Sequence, residues 1–108
     1  MITSVYDRQN HRLTVEGHDE KENDTESRAR LCTAVTTLVY TLAAALLDLT
    51  AAGQITSPDA SLRPGRALLA CHSSHASRGI VLLTFDTVAR GLALLASRYP
   101  EMVRYEEM

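Results

Sequence analysis

Residues 31–47 read LCTAVTTLVYTLAAALL, an uncharged stretch near the middle of a 108-residue chain. Its large apolar residues recur at steps of three and four from Leu31 to Leu49, which gives one continuous apolar face on an α-helix. The stretch is shorter than the roughly 20 residues that a bilayer span requires, and four threonines interrupt it. We therefore predict a buried helix over residues 28–52 of a soluble protein and no membrane partner.

A second helix is predicted over residues 79–98. Its apolar stripe runs from Val81 to Leu95, and Pro100 follows as a stop. Four short runs have strand character: residues 2–6, 12–16, 66–72 and 103–106. The segment 54–65 contains Ser57-Pro58 and Pro64-Gly65 and is interpreted as a loop.

The resulting element order is β-β-α-β-α-β. An opening hairpin followed by alternating helices and strands favours an α+β fold, a two-layer domain with two long helices packed on one face of a small sheet. A chain of this length makes one domain over residues 1–108, and its 45% hydrophobic and 22% charged content is near the globular average.

The N-terminus lacks the basic start and apolar run of a signal peptide, so we expect a cytoplasmic protein with reduced thiols. Residues 16–26 carry six acids and one base, which predicts a mobile acidic loop at about 18–27. The chain has only one lysine and no basic cluster with interleaved aromatics. This composition argues against a nucleic-acid partner.

Cys32 lies in the first turns of the long helix, a place where a cysteine can become reactive. The thiolate is the nucleophilic form, and a nearby imidazole, a cation or a helix N-terminus stabilises it. His18 ends the second strand, Arg28 precedes Cys32 by one helical turn, and Thr36 follows it by one. On these residues alone, a core cysteine and a solvated histidine are the commoner interpretation.

The arrangement resembles the family of ribosomal-processing cysteine proteases, Prp. Gly17-His18, a loop of about a dozen residues and the run from Leu31 to Leu38 are similar to that family's Gly-His strand end and Val-Cys-Ala-Ala-Val-Ser-Ala-Leu helix start. The segment 91–103, with its Tyr99-Pro100 ending, is similar to the family's second helix and last strand. The sequence departs from the family at Asp19, Ser27 and Ala29, where alanine, glycine and aspartate are usual.

The resemblance implies a homodimeric cysteine endopeptidase that needs no cofactor and trims the N-terminal extension of a bacterial large-subunit ribosomal protein. Cys32 is then the nucleophile and His18 the general base. The acidic loop would order over the bound peptide. The candidate substrate-binding residues are Arg28, Thr36 and Asp19.

Two other interpretations of the sequence remain. The same fold can serve as a catalytically inactive or repurposed homodimeric interaction module with Cys32 buried. A metal site made of Cys71, His72 and His75 is disfavoured, because successive strand residues point to opposite faces and no fourth ligand stands at a recognised spacing. Cys32 and His18 therefore carry the functional hypothesis.

Overall fold

The computed structural model describes residues 1–17 and 26–108, which form two helices and a five-stranded sheet. In chain order the elements are β1 (Ile2–Asp7), β2 (Arg12–Glu16), α1 (Glu26–Ala51), β3 (Ile55–Arg63), β4 (Arg66–Ser73), α2 (Arg78–Arg98) and β5 (Val103–Glu107). The α+β class is confirmed. Both helices begin within two residues of the predicted positions. Of the mobile acidic loop predicted over 18–27, Glu26 and Ser27 belong to α1, and residues 18–25 lie outside the described residues.

The strand order across the sheet is β3-β4-β2-β1-β5. β1 and β5 are parallel, with Ile2 opposite Val103, and the other neighbours are antiparallel. The β1–β2 hairpin forms as predicted. The last strand, β5, therefore lies at the edge of the sheet beside β1, and α2 connects it to β4.

The prediction of a loop over residues 54–65 is wrong, because Ile55–Arg63 forms the edge strand β3 and pairs with β4. The register shifts between Thr56 and Asp59, where Ser57 has a φ of 51° and Pro58 follows. A proline is tolerated at a bulge of an edge strand, where its missing N–H does not break the ladder. The observed order is thus β-β-α-β-β-α-β.

One face of the sheet is buried. Cross-strand neighbours such as Tyr6 and Leu13, or Val15 and Ala67, point to the same side and are less than 2% exposed. Both helices turn their apolar stripes toward this side, from Leu31 to Leu49 in α1 and from Val81 to Leu92 in α2. These side chains form a single core cluster. The two-layer packing with helices on one face is as predicted.

The helices also pack on each other. A Cβ added at Gly91 would lie 2.8 Å from Leu38 Cδ2, so the glycine lets α1 and α2 approach closely. At the far end of α1, Ser77 Oγ donates a hydrogen bond of 2.9 Å to Gln54 Oε1. The end of α1 therefore meets the beginning of α2, and the two helices are antiparallel.

Both helices are long and apolar enough to cross a membrane by length and composition alone, with mean hydropathies of 1.6 and 1.7 over their most apolar 18 residues. The same property is found in core helices of soluble proteins. In this fold each helix packs its apolar stripe on the sheet. In this packing 33% of the apolar window of α1 and 28% of that of α2 are buried.

Candidate functional site

Gly17, the residue that follows β2, fixes the end of that strand in position. Its N–H donates a hydrogen bond of 2.8 Å to Gly65 O, and its φ is +90°. A Cβ at this position would lie 2.3 Å from Met1 O, so only glycine fits between the two backbone segments. Gly17 therefore determines where the chain leaves the sheet, immediately before His18.

Cys32 is the seventh residue of α1, about 9 Å along the axis from the first residue at 1.5 Å per residue. The first turn of the helix is exposed at Glu26, Ser27 and Arg28. Burial begins at Leu31 and Cys32, which are 4% and 2% exposed. The thiol thus lies where α1 enters the apolar core.

Arg28 and Thr36 lie on the same side of α1 as Cys32, one turn before and one turn after it. Arg28 is exposed and Thr36 is half-buried. Thr33, Thr37, Thr41 and Thr50 each donate a hydrogen bond from the hydroxyl to the carbonyl four residues earlier. Within residues 1–17 and 26–108, the Thr36 hydroxyl makes no such bond, so it is available to a ligand.

His18 and Asp19, predicted as the general base and a substrate-binding residue, lie outside the described residues. The structure places Cys32, Arg28 and Thr36 together on one side of α1, as their spacing predicts. The contribution of Gly17 was missed by the sequence analysis. A Gly-His pair at a strand end was the available signal, but the contact with Met1 O depends on the tertiary structure.

The second cysteine has a different environment. Cys71 is in the middle of the sheet on its buried face, 3% exposed, and burial raises the pKa of its thiol. His72 is exposed on the opposite side of the same strand, as the alternation predicts. Among the described residues no group of three or more histidine, cysteine, aspartate or glutamate side chains is arranged to hold a metal ion.

No protein-family model and no curated protein matches the sequence. Solved structures do match the fold. The SMU.848 protein of Streptococcus mutans is 22% identical with a TM-score of 0.70, covering 99% of this chain and 91% of the other.

Two further matches are structures of an essential ribosomal processing protease, Prp, from S. aureus. The complex with a substrate peptide is 14% identical with a TM-score of 0.72, covering 99% of this chain and 97% of that one. The complex with a covalently linked product peptide is 16% identical with a TM-score of 0.71, covering all of both chains. The chain therefore has a Prp-like fold, which confirms the fold that the sequence resemblance implied.

Proposed function

We propose that residues 1–108 form a single Prp-like cysteine protease domain, a cytoplasmic endopeptidase that acts on an N-terminal extension of a ribosomal protein. The observation that carries the proposal is the agreement of the whole fold with a protease whose structure holds a covalently linked product peptide, over the full length of both chains. The position of Cys32, in the second turn of α1, supports it.

The chemistry is an acyl transfer. The Cys32 thiolate attacks the scissile carbonyl carbon, and a C–S bond forms while the carbonyl oxygen becomes negative. Backbone N–H groups at the start of α1 are the proposed donors to that oxygen. Protonated His18 gives its proton to the leaving amine as the C–N bond breaks. Water then attacks the thioester carbonyl carbon and gives a proton to the neutral His18, the C–S bond breaks, and the carboxylic acid product leaves the thiolate and the protonated histidine restored.

Arg28, Thr36 and Asp19 are proposed to hold the peptide. Thr36 is the best supported. The other four threonines of α1 each donate their hydroxyl to a backbone carbonyl, and among the described residues the Thr36 hydroxyl does not. Loss of one hydrogen bond of about 1 to 1.5 kcal/mol lowers kcat/KM roughly 5- to 10-fold. We expect Thr36→Val to have that effect and Thr37→Val to have none.

We also propose that the chain acts as a homodimer. Tyr40 and Leu47 of α1 are 57% and 70% exposed, and the small residue Ala44 lies exposed between them. An apolar outer helix face of this kind is typical of an interaction surface. Sedimentation analysis of the wild-type chain and of Leu47→Asp tests the proposal. A monomer in both would contradict it.

The decisive experiment uses the two buried cysteines as a matched pair. We expect Cys32→Ala to abolish cleavage of a peptide that copies a ribosomal-protein N-terminal extension, and Cys71→Ala to retain it. Mass spectrometry of a trapped reaction should place the acyl group on Cys32. Cleavage by purified Cys32→Ala protein would exclude Cys32 as the nucleophile, and unchanged cleavage by His18→Ala would exclude the dyad.

The burial of Cys32 favours one second candidate, a non-catalytic interaction module of the same fold. A thiol that is 2% exposed reacts slowly with reagents in solution. Alkylation by iodoacetamide in Cys71→Ser protein, with and without peptide, separates the two functions. If the chain is a protease, Cys32 should react faster in Cys71→Ser protein than in the same protein carrying His18→Ala. A Cys32 thiol that is inert under all these conditions supports the interaction module.

A further inference from the structure

β3 is an edge strand, and in the described part of the chain its outer side pairs with no other strand. The register shifts between Thr56 and Asp59, and residues 59–63 then pair with β4 without interruption. Pro58 precedes this segment and Pro64 follows it. An exposed edge offers free backbone N–H and C=O groups to another strand, whereas a proline has no N–H to donate. The part of β3 that is open to pairing is therefore the five-residue segment 59–63, here called the open edge.

The sequence of the open edge is complementary to itself. It reads Asp59-Ala60-Ser61-Leu62-Arg63. When two copies are aligned antiparallel about Ser61, Asp59 of each copy lies opposite Arg63 of the other. In the same alignment Ala60 lies opposite Leu62. Opposite charges and apolar pairs directly across an antiparallel ladder stabilise it, whereas like charges destabilise it. This one register therefore gives an attractive pair at each charged and each apolar position.

The side chains of the open edge also lie on suitable faces of the sheet. Leu62 is opposite Ala67 of β4, which is 1% exposed, so Leu62 points to the side of the helices. Ala60, two residues before it, points to the same side. Asp59 and Arg63 alternate with them and are exposed on the other side. In the paired arrangement the apolar pairs lie on the helix side and the ion pairs on the solvent side.

Leu62 belongs to an apolar strip that the helices leave uncovered. At the first end of β3, Ile55 points to the helix side and is 4% exposed as a member of the core. Leu62 points to the same side near the other end of the strand, yet it is 38% exposed, and Ala60 is exposed as well. The helices therefore cover only the first part of β3, and the helix side of the open edge is apolar and accessible.

The side of α1 that faces β3 carries exposed apolar residues. Leu38 lies against Gly91 of α2, and α1 contacts both α2 and β3. At about 100° per residue, Tyr40 and Leu47 stand about 200° and 180° around the helix from Leu38, on the side away from α2. Their side chains are 57% and 70% exposed. In a dimer paired through the open edges, these side chains of both copies lie beside the apolar pairs and cover them.

The charges of the open edge are not used within one chain. Among the described residues, Asp59 and Arg63 have no ion-pair partner. The other edge strand, β5, has no comparable sequence. Aligning two copies of β5 about its middle residue would place the charge of Glu107 opposite Val103, which is 2% exposed. Self-complementarity is therefore a property of β3 and not of both edges of the sheet.

We propose that a second copy of the chain pairs with the open edge, antiparallel and centred on Ser61. Two five-stranded sheets then form one sheet of ten strands, with all four helices on the same side. The inference rests on the homodimer proposed above and identifies its interface. Asp59 of each copy forms an ion pair with the partner's Arg63. Arg63 is two residues from Gly65, whose carbonyl accepts the hydrogen bond from Gly17, so the interface ends beside the candidate site.

The first test is sedimentation analysis of whole chains with these charges reversed. Asp59→Arg alone or Arg63→Asp alone should raise the dissociation constant of the dimer about tenfold, which equals about 1.4 kcal/mol over the two symmetry-related pairs. Both substitutions in one chain should restore the dimer, and an equimolar mixture of the two single variants should form a heterodimer. Arg104→Asp, the same change on the exposed edge strand β5, is the matched control and should have no effect. Unchanged dissociation constants in the single variants would overturn the proposal.

A cross-link tests the register. Residues directly opposite in an antiparallel pair have Cα atoms about 4.5 to 5.5 Å apart, which a disulfide can span. Ser61→Cys should therefore give a covalent dimer on oxidation. Asp59→Cys should not, because its two copies would be about 13 Å apart along the strands. A wild-type dimer that Ser61→Cys fails to cross-link would overturn this interface alone, whereas a monomeric wild type would overturn the homodimer as well. Cys32→Ala should dimerise normally, so the result is independent of the peptidase proposal.

Discussion

Tyr6 donates a hydrogen bond of 2.8 Å from its hydroxyl to Asp86 Oδ1, which joins β1 to α2 across 80 positions of sequence. Tyr6 is fully buried, and its ring stacks on Phe85 with the centroids 6.1 Å apart. Arg8 donates to both carboxylate oxygens of Asp86. The carboxylate thus accepts hydrogen bonds from Tyr6 of β1 and from Arg8, in the turn that follows β1, and fixes α2 on the sheet.

We expect Tyr6→Phe to lower the free energy of unfolding by about 1.5 to 3 kcal/mol, the usual contribution of a hydrogen bond to a charged group. The hydrogen bond from Arg8 holds the pKa of Asp86 below its usual 3.8, and the bond from Tyr6 acts in the same direction. A lowered carboxyl pKa contributes stability above pH 3.8 that is lost as the pH falls through the folded value. Urea unfolding should therefore show the full difference in stability between wild type and Tyr6→Phe at pH 7, and a smaller difference at pH 3. A difference that does not change with pH would contradict this account.

The sequence predicted the helices well because their apolar stripes are long and regular. It missed β3 because that strand is at the edge of the sheet, where exposed residues such as Asp59 and Ala60 give no alternating pattern. Pro58 was interpreted as a loop signal, although an edge bulge accommodates it. A periodic apolar pattern indicates an element that buries one whole face. β3 buries no such face, so its sequence carries no such pattern.

The placement of the three described candidate residues was predictable from helix geometry. Arg28, Cys32 and Thr36 are one turn apart, so helix geometry alone puts them on one side. The contact of Gly17 with Met1 O and the bond between Tyr6 and Asp86 join distant parts of the chain. Such relationships follow from the sheet order, which the sequence did not determine.

Gly17→Ala should destabilise the fold by about 2 kcal/mol or more, since the new methyl group would meet backbone atoms at a positive φ. Gly53 is the matched control, because it also has a positive φ of 71° but has no atom within 4 Å of an added Cβ. Gly53→Ala should cost only about 1 to 2 kcal/mol of backbone strain. Thermal unfolding of the two variants measures the difference. Equal losses would show that the contact with Met1 O has no cost.

His11 predicts an acid-sensitive stability. Burial lowers its pKa below the usual 6.5, with Arg78 the largest of the charges that add to the effect. The unfolded chain then binds a proton that the folded chain does not, so stability falls as the pH drops below 6.5 and levels off below the folded pKa. We expect His11→Asn to reduce this slope, since asparagine tolerates the positive φ of 50°. His75→Asn, at an exposed position, is the control. An unchanged slope in His11→Asn would assign the effect to another group.

Ser4 places a hydroxyl group in the apolar core. It is fully buried on β1, beside Val15 and Tyr105, and its Oγ makes no hydrogen bond within the described residues. Removing a buried hydroxyl that has no partner is neutral or stabilising, because its desolvation is not repaid. We expect Ser4→Ala to raise the free energy of unfolding by up to about 1 kcal/mol. Ser4→Val should lower it by about 1 to 3 kcal/mol, because the added methyl groups enter a close-packed core. Urea unfolding of both variants checks the pair, and a loss of stability in Ser4→Ala would show that the hydroxyl has a partner.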